Sequence, residues 1–243
     1  NKHHIYDCYT HNLLSLKYAV QKNFNPEVRL ASLFHDIAKP RVKKGDGPDS
    51  TFYGHEIVGA RMTQKIMERL RFSKETTEKV VRLVRYHLFY YNVGEVGENS
   101  IRRLVRNVEP ENVEELLQLR MADRIGSGVP KAEPYKLRHL RYLIEKATRQ
   151  PISAKLLKID GHGIMKLLKL TPGPKVGQIL DILLGQVLDD PQKNKKAFLE
   201  KETLRLGKLS EEELNDLAVL AKKDRETIEQ KKDEMTKEKY WVT

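Results

Sequence analysis

The chain of 243 residues has a single cysteine, Cys8, so it cannot form an internal disulfide, which suits a reducing cytoplasm. It contains no run of about eighteen apolar residues, so nothing in it reads as a transmembrane helix. Asn1 to Thr10 lack the pattern of a signal peptide, and the missing initiator Met suggests a piece of a longer chain. No alternation of apolar and polar residues persists long enough to mark a β-sheet.

What is abundant is charge. Hydrophobic residues make up 39% and charged residues 33%, the balance of a soluble protein with strongly polar helix faces. The length fits one large domain or two smaller ones. A net charge of +11 and a pI near 9.5 favour a polyanionic partner such as RNA. Residues 1–150 hold 27 Lys/Arg against 18 Asp/Glu, a net of +9, whereas 151–243 hold 18 against 16, a net of +2. The basic field belongs to the first part.

Apolar spacing of three and four residues predicts an all-α protein, with helices near 8–22, 26–38, 54–70, 74–88, 100–107, 111–126 and 133–148. Ser73 and Ser100 read as helix caps, and Pro110 as a first-turn residue. A Gly/Pro/Asp-rich loop spans Lys43 to Ser50, and a second runs from Tyr91 to Asn99. Gln150-Pro151 marks a boundary, giving expected domains of 1–150 and 151–243. Beyond it Ser153 and Asp160 read as caps of short helices, with a break at Asp160-Gly161-His162-Gly163. Thr171-Pro172-Gly173-Pro174 opens a long helix, and Ser210 with Glu213 forms a capping box. Arg225 to Lys239 is almost wholly charged and reads as solvated or frayed helix.

Six residues carry the chemistry: His11, His35, Asp36, His55, His87 and Asp123. Each falls on the apolar stripe of a predicted helix, His11 with Leu14 and Tyr18, His87 with Val80, Leu83 and Val84. Imidazole and carboxylate together are ligands for a divalent metal ion, Mg, Mn, Ni, Co or Zn. Such an ion lowers the pKa of coordinated water from about 15.7 towards 7 and offsets charge on a phosphoryl oxygen. His11, His35, Asp36 and Asp123 form a first set, and Asp36 can bridge to a second ion. His55 and His87 either ligate that second ion or meet the phosphate as acid or donor. With Asp36 and Lys39 they are the candidate catalytic residues. Lys39 and Arg85 are close enough in sequence to bind substrate phosphate. Six inward polar groups without an ion would each cost about 1–3 kcal/mol if unsatisfied. His3 and His4 suit a terminal flap, and His139 and His162 have no partner pattern. Tyr86, Tyr90 and Tyr91 suit either stacking on an unpaired terminal base or packing of the domain, with packing the better fit for Tyr86.

These residues sit in recognisable text: His4-Ile5-Tyr6-Asp7 with Thr10-His11, and Leu33-Phe34-His35-Asp36-Ile37-Ala38-Lys39-Pro40. It continues with Phe52-Tyr53-Gly54-His55-Glu56, Leu83-Val84-Arg85-Tyr86-His87 and Ala122-Asp123-Arg124. The chain thereby resembles the HD superfamily of metal-dependent phosphohydrolases. It is most similar to the C-terminal HD region of bacterial tRNA nucleotidyltransferases and poly(A) polymerases. Ile159-Asp160-Gly161 and Pro172-Gly173-Pro174-Lys175-Val176-Gly177 resemble the helical body and tail that follow. The resemblance covers about residues 1–200, and residues after Leu204 match nothing nameable. It implies an HD-type helical bundle followed by a smaller helical RNA-binding region, with phosphatase or 2′,3′-cyclic phosphodiesterase activity on RNA termini.

The family's polymerising head, a Gly-Gly turn followed by paired carboxylates, is not in this sequence, so nucleotide addition is not expected from this chain alone. The helix start at Gly173-Pro174-Lys175 offers amides and Lys175 to a phosphate, or is an ordinary Pro-initiated helix. The expected partner is RNA, specifically tRNA or its 3′ end, with no membrane. A non-catalytic tRNA-binding body and a free-standing nucleotide phosphohydrolase are the alternatives.

Overall fold

A computed structural model describes residues 6–149 and 152–243. His3, His4 and the expected boundary at Gln150-Pro151 lie outside the described residues. The described residues contain α-helices, 3-10 turns and one isolated bridge between Lys44 and Thr51, and no strand. Among the described residues no helix is long and apolar enough to cross a membrane. The chain divides into two compact units, one ending at Thr148 and including Tyr240–Thr243, the other Arg149–Lys239.

The described residues of the first unit form eight α-helices. α1 (Cys8–Gln21) starts where Asp7 accepts the Thr10 amide at 2.9 Å, and α2 (Pro26–Phe34) where Asn25 accepts the Val28 amide at 2.9 Å. A short α3 (Lys39–Val42) leads to α4 (His55–Arg69) and α5 (Lys74–Tyr86), the last capped by Ser73 on the Thr76 amide. α6 (Glu98–Val108), α7 (Val113–Gly126) and α8 (Tyr135–Thr148) complete the set. α1 packs on α7 and α2, α4 on α5, and α2 on both α5 and α7. Val28, Ala31, Met67, Leu83, Leu116 and Leu119 fill the space between them. These are the i, i+3, i+4 stripes of the sequence turned inward.

Two sequence readings change here. The helix expected over 26–38 stops at Phe34, and His35-Asp36 lies on a turn before α3. Pro40 has no N–H, and its ring would clash with the Asp36 carbonyl in a continuing helix, so the chain uses tighter bonds such as Lys39 N–H to Asp36 O at 2.9 Å. Likewise α6 begins at Glu98 behind Gly97, so Ser100 lies inside the first turn rather than capping it.

The second unit has its own core of Ile164, Ile179, Leu183, Leu199, Leu206 and Leu214. Its helices are α9 (Gly161–Leu168), α10 (Pro174–Asp189), α11 (Lys196–Leu206) and α12 (Glu211–Tyr240). Asp160 caps α9 by accepting the Gly163 amide at 2.8 Å, so Gly161-His162-Gly163 is a first helical turn and not a break. Ser153 precedes only a 3-10 turn and makes no side-chain cap bond. Ser210 and Glu213 exchange reciprocal bonds at the start of α12, which runs on through the charged stretch to Tyr240.

Gly126 governs the closest approach in the first unit. A Cβ there would stand 2.0 Å from Ser15 Oγ and 2.8 Å from the His11 carbonyl on α1. Gly126→Ala therefore forces α1 and α7 apart. It should lower stability by about 1–3 kcal/mol, read as a thermal midpoint several degrees lower by circular dichroism. Gly177→Ala in α10 is the control: a Cβ there meets nothing within 4 Å, and the midpoint should hold or rise slightly. Equal effects at both positions would refute the close-packing account.

Candidate metal centre

The six polar residues converge in the first unit. His11 is one turn into α1, Asp123 lies late in α7, three histidines stand at helix ends, and Asp36 lies on the turn between α2 and α3. His35 follows the last residue of α2, His87 follows that of α5, and His55 is the first residue of α4. The last turn of a helix leaves backbone carbonyls without helical partners, and His35 and His87 use such groups. His35 Nδ1 lies 2.9 Å from the Ser32 carbonyl, His55 Nδ1 2.8 Å from that of Phe52, and His87 Nδ1 2.7 Å from that of Val84. A carbonyl only accepts, so each Nδ1 is the donor. In the neutral ring each Nε2 then presents a lone pair to the interior.

Those Nε2 atoms surround the Asp36 carboxylate in two pairs. Around Oδ2, His11 Nε2 stands at 3.3 Å and His35 Nε2 at 3.5 Å, with 2.9 Å between the two nitrogens. Asp123 Oδ1 joins this group, 3.3 Å from His11 and 3.6 Å from His35. Around Oδ1, His55 Nε2 stands at 3.3 Å and His87 Nε2 at 3.7 Å, with 3.3 Å between the nitrogens. All but Asp123 are buried, and Asp123 is 14% exposed.

The geometry fits divalent ions. Donors about 2.1 Å from one ion stand about 3.0–3.4 Å apart at octahedral to tetrahedral angles. The nitrogen pairs fall in or beside that range. Two imidazole lone pairs facing one another this closely repel unless a cation or proton lies between them. The donor atoms of His11, His35 and Asp36 lie within 4.8 Å of one another, and so do those of Asp36, His55 and His87. The Nδ1–carbonyl bonds behind three of the histidines are the outer support that metal-binding imidazoles use to fix their orientation.

The site attracts positive charge. Burial opposes ionised His11, but hydrogen bonds and charge from Asp123 and Asp36 outweigh it and raise the imidazolium to about 9. Burial also opposes the Asp36 carboxylate, yet His35, His11, His55 and His87 hold it well below the usual range. Asp123 is held low against burial by His11, His35 and Arg120. His55 is raised by Asp36 despite burial, whereas burial dominates at His87 and lowers it.

Lys39 Nζ lies 2.5 Å from Asp36 Oδ2, at the edge of the centre. Arg85 is turned elsewhere: its guanidinium faces Glu56 at 3.7 Å and stacks on Tyr86. Lys175 belongs to the second unit, where its ammonium donates to the Gly207 carbonyl at 3.1 Å. Tyr91 packs against the core and bonds His139, so those two form a structural pair, and exposed Tyr90 bonds Glu95. Two supporting residues were not singled out from the sequence. Arg120 holds Asp123 Oδ2 at 2.5 Å, and the Cys8 thiol donates to the Asp36 carbonyl at 3.3 Å. The i, i+3 spacing of Arg120 and Asp123 was the available signal for the first.

Residues 9–127 match the family model described as HD domain. The chain is similar over 214 residues, at 30% identity, to an A-adding tRNA nucleotidyltransferase of Deinococcus radiodurans, covering 82% of this chain and 47% of that protein. Over 160 residues it is 33% identical to a CC-adding tRNA nucleotidyltransferase of Thermus thermophilus, covering 65% and 35%. A multifunctional CCA protein of Neisseria meningitidis serogroup C is 25% identical over 150 residues, covering 60% and 36%. The chain thus spans about half the length of the first relative and about a third of the other two. No solved structure matches it.

His11 makes the metal-free centre sensitive to pH. Its folded pKa, about 9, exceeds the ordinary 6.5, so its stabilising contribution is complete below 6.5 and disappears as pH rises towards 9. EDTA-treated protein should lose thermal stability across that interval, and His11→Gln should lose much of this slope. In the untreated protein, divalent-ion affinity should rise over the same interval, as the competing proton leaves. Calorimetry and thermal melts at several pH values check both. Identical slopes in the two proteins would disprove the role given to His11.

Proposed function

We propose that the first unit is a metal-dependent phosphohydrolase acting on RNA ends, opening 2′,3′-cyclic phosphates and removing phosphomonoesters, within a chain that binds tRNA in the cytoplasm. The supporting observation is the pairing around Asp36, with His11 and His35 on one oxygen and His55 and His87 on the other. In this reading His11, His35, Asp36 and Asp123 hold one divalent ion, and Asp36, His55 and His87 a second. Mg, Mn, Ni, Co and Zn are all suited to these donors. Bound there, such an ion supplies Lewis acidity: it lowers the pKa of coordinated water and offsets negative charge on the phosphate.

The chain's own groups do the rest. Asp36 orients both ligand pairs, and the backbone carbonyls of Ser32, Phe52 and Val84 keep the Nε2 lone pairs aimed inward. Lys39, beside Asp36, receives a non-bridging phosphate oxygen. Arg85 reaches a phosphate only on leaving Glu56. Water adds to phosphorus and gives up a proton to Nε2 of His55 or His87, whichever is not ligating, and the same imidazole passes that proton to the departing ester oxygen. The second unit and the basic surface of residues 1–150 grip the RNA backbone, with Lys175 as one contact. Nucleotide addition is not part of this reading of the chain.

Purified chain should hydrolyse 2′,3′-cyclic AMP and p-nitrophenyl phosphate only with Mg²⁺, Mn²⁺, Ni²⁺, Co²⁺ or Zn²⁺ present. His35→Ala and Asp36→Ala should reduce both rates to background while the helical circular dichroism persists. Activity that survives EDTA, or full activity in these variants, would end this reading.

A further inference from the structure

A cavity of about 320 Å³ opens beside the centre, with His11 and Asp36 in its lining. Its remaining surface has two chemical characters. Tyr6 and Phe52 contribute aromatic rings, and Lys39 and Lys43 contribute ammonium groups. The volume is at the lower end of small-molecule pockets, large enough for one nucleotide and too small for a duplex end.

Phe52 is tied to the chemistry twice. Its carbonyl accepts from His55 Nδ1 at 2.8 Å, and Lys39 Nζ lies 5.9 Å from its ring centroid. Lys39 therefore stands between the Asp36 carboxylate and the Phe52 ring. A molecule with its phosphate at Lys39 would carry its next group past Phe52. Tyr6 is 41% exposed and Lys43 44%, so both can shift towards an entering ligand. Among the described residues Lys43 makes a loose contact to Asp46 at 3.5 Å. Asp7, the one other acid in the lining, has its carboxylate taken up by Thr10 at the start of α1.

We infer that this cavity is a nucleoside-recognition subsite. A terminal base stacks on Phe52 and Tyr6, while its phosphate is held by Lys39 and Lys43 at the edge of the centre. The inference rests on the phosphohydrolase reading and names its substrate class: single nucleotides and unpaired nucleotide termini, in preference to phosphate esters without a base. Aromatic stacking tolerates any base, so the subsite selects for a base being present and not for its identity.

Binding separates this inference from the activity. The full chain, treated with EDTA, is titrated by calorimetry with AMP and with ribose 5-phosphate, which has the same phosphate and sugar without the base. AMP should bind at least about tenfold more tightly, the effect of one base–aromatic stack. Phe52→Leu and, independently, Tyr6→Leu should each bring the two affinities closer while leaving ribose 5-phosphate nearly unchanged. Lys43→Gln should weaken both ligands alike. Equal affinities in the unaltered protein, no binding of either at millimolar concentration, or an unchanged preference in both Leu variants would overturn the subsite. If AMP is preferred but no metal-dependent hydrolysis occurs, the hydrolase reading fails and the subsite stands. If p-nitrophenyl phosphate is hydrolysed without any base preference, the reverse holds.

Discussion

A buried carboxylate surrounded by imidazoles is the constraint on which the first unit is built. Asp36 is 2% exposed, and an ionised group so placed is costly unless compensated from all sides. Four Nε2 atoms and the Lys39 ammonium supply that compensation. Three of the imidazoles are themselves fixed by backbone carbonyls. Two of these, Ser32 and Val84, lie in the last turn of a helix. The ligands therefore finish the helices as well as filling the centre. Folding and the proposed cation binding involve the same atoms, so an ion bound there would tie together five segments that also share the apolar core.

This explains which parts were legible in sequence. The stripes that bury Val28, Ala31, Leu83, Val84, Leu116 and Leu119 announce themselves by spacing, and the caps at Ser73, Asp160 and Ser210 by chemistry. Six metal-type residues could be picked out because polar groups on apolar stripes need a reason. Their position at helix ends could not be read in the same way. Periodicity carries His35 smoothly into a helix over 26–38, whereas Pro40 stops that helix through a clash with a carbonyl four residues earlier. Nor does spacing along one chain show which carboxylate oxygen faces which pair. That follows from how α1, α2, α4, α5 and α7 pack. Arg85 shows the limit most plainly: adjacent to the centre in sequence, it is turned to Glu56 and Tyr86.

The contact of α1 with α7 has a second consequence. It brings His11 and Asp123 to 3.3 Å, and it is close because Gly126 has no side chain to meet Ser15. Ser15 Oγ donates to the His11 carbonyl at 2.9 Å, so the turn that carries the ligand is pinned from the facing side of the same helix. A serine and a glycine with no direct part in the chemistry thus set the distance between two ligands. Neither would be singled out from the sequence, since each is unremarkable until the two helices are brought together.

The six candidate ligands all belong to one of the two units. All six lie between His11 and Asp123, within the first unit, and the second unit closes its own apolar core around Ile179, Leu183 and Leu199. Lys175, which the sequence offers as a phosphate contact, belongs to that second core's surface and bonds Gly207 there. The charge is divided in the same way, with +9 in residues 1–150 and +2 in the remainder. A large field is unnecessary for a single nucleotide, which two lysines at the cavity can hold, but it suits a polyanion lying across a wider surface. The charge of residues 1–150 thus agrees with the RNA end proposed as substrate, of which the cavity would take only the terminal nucleotide.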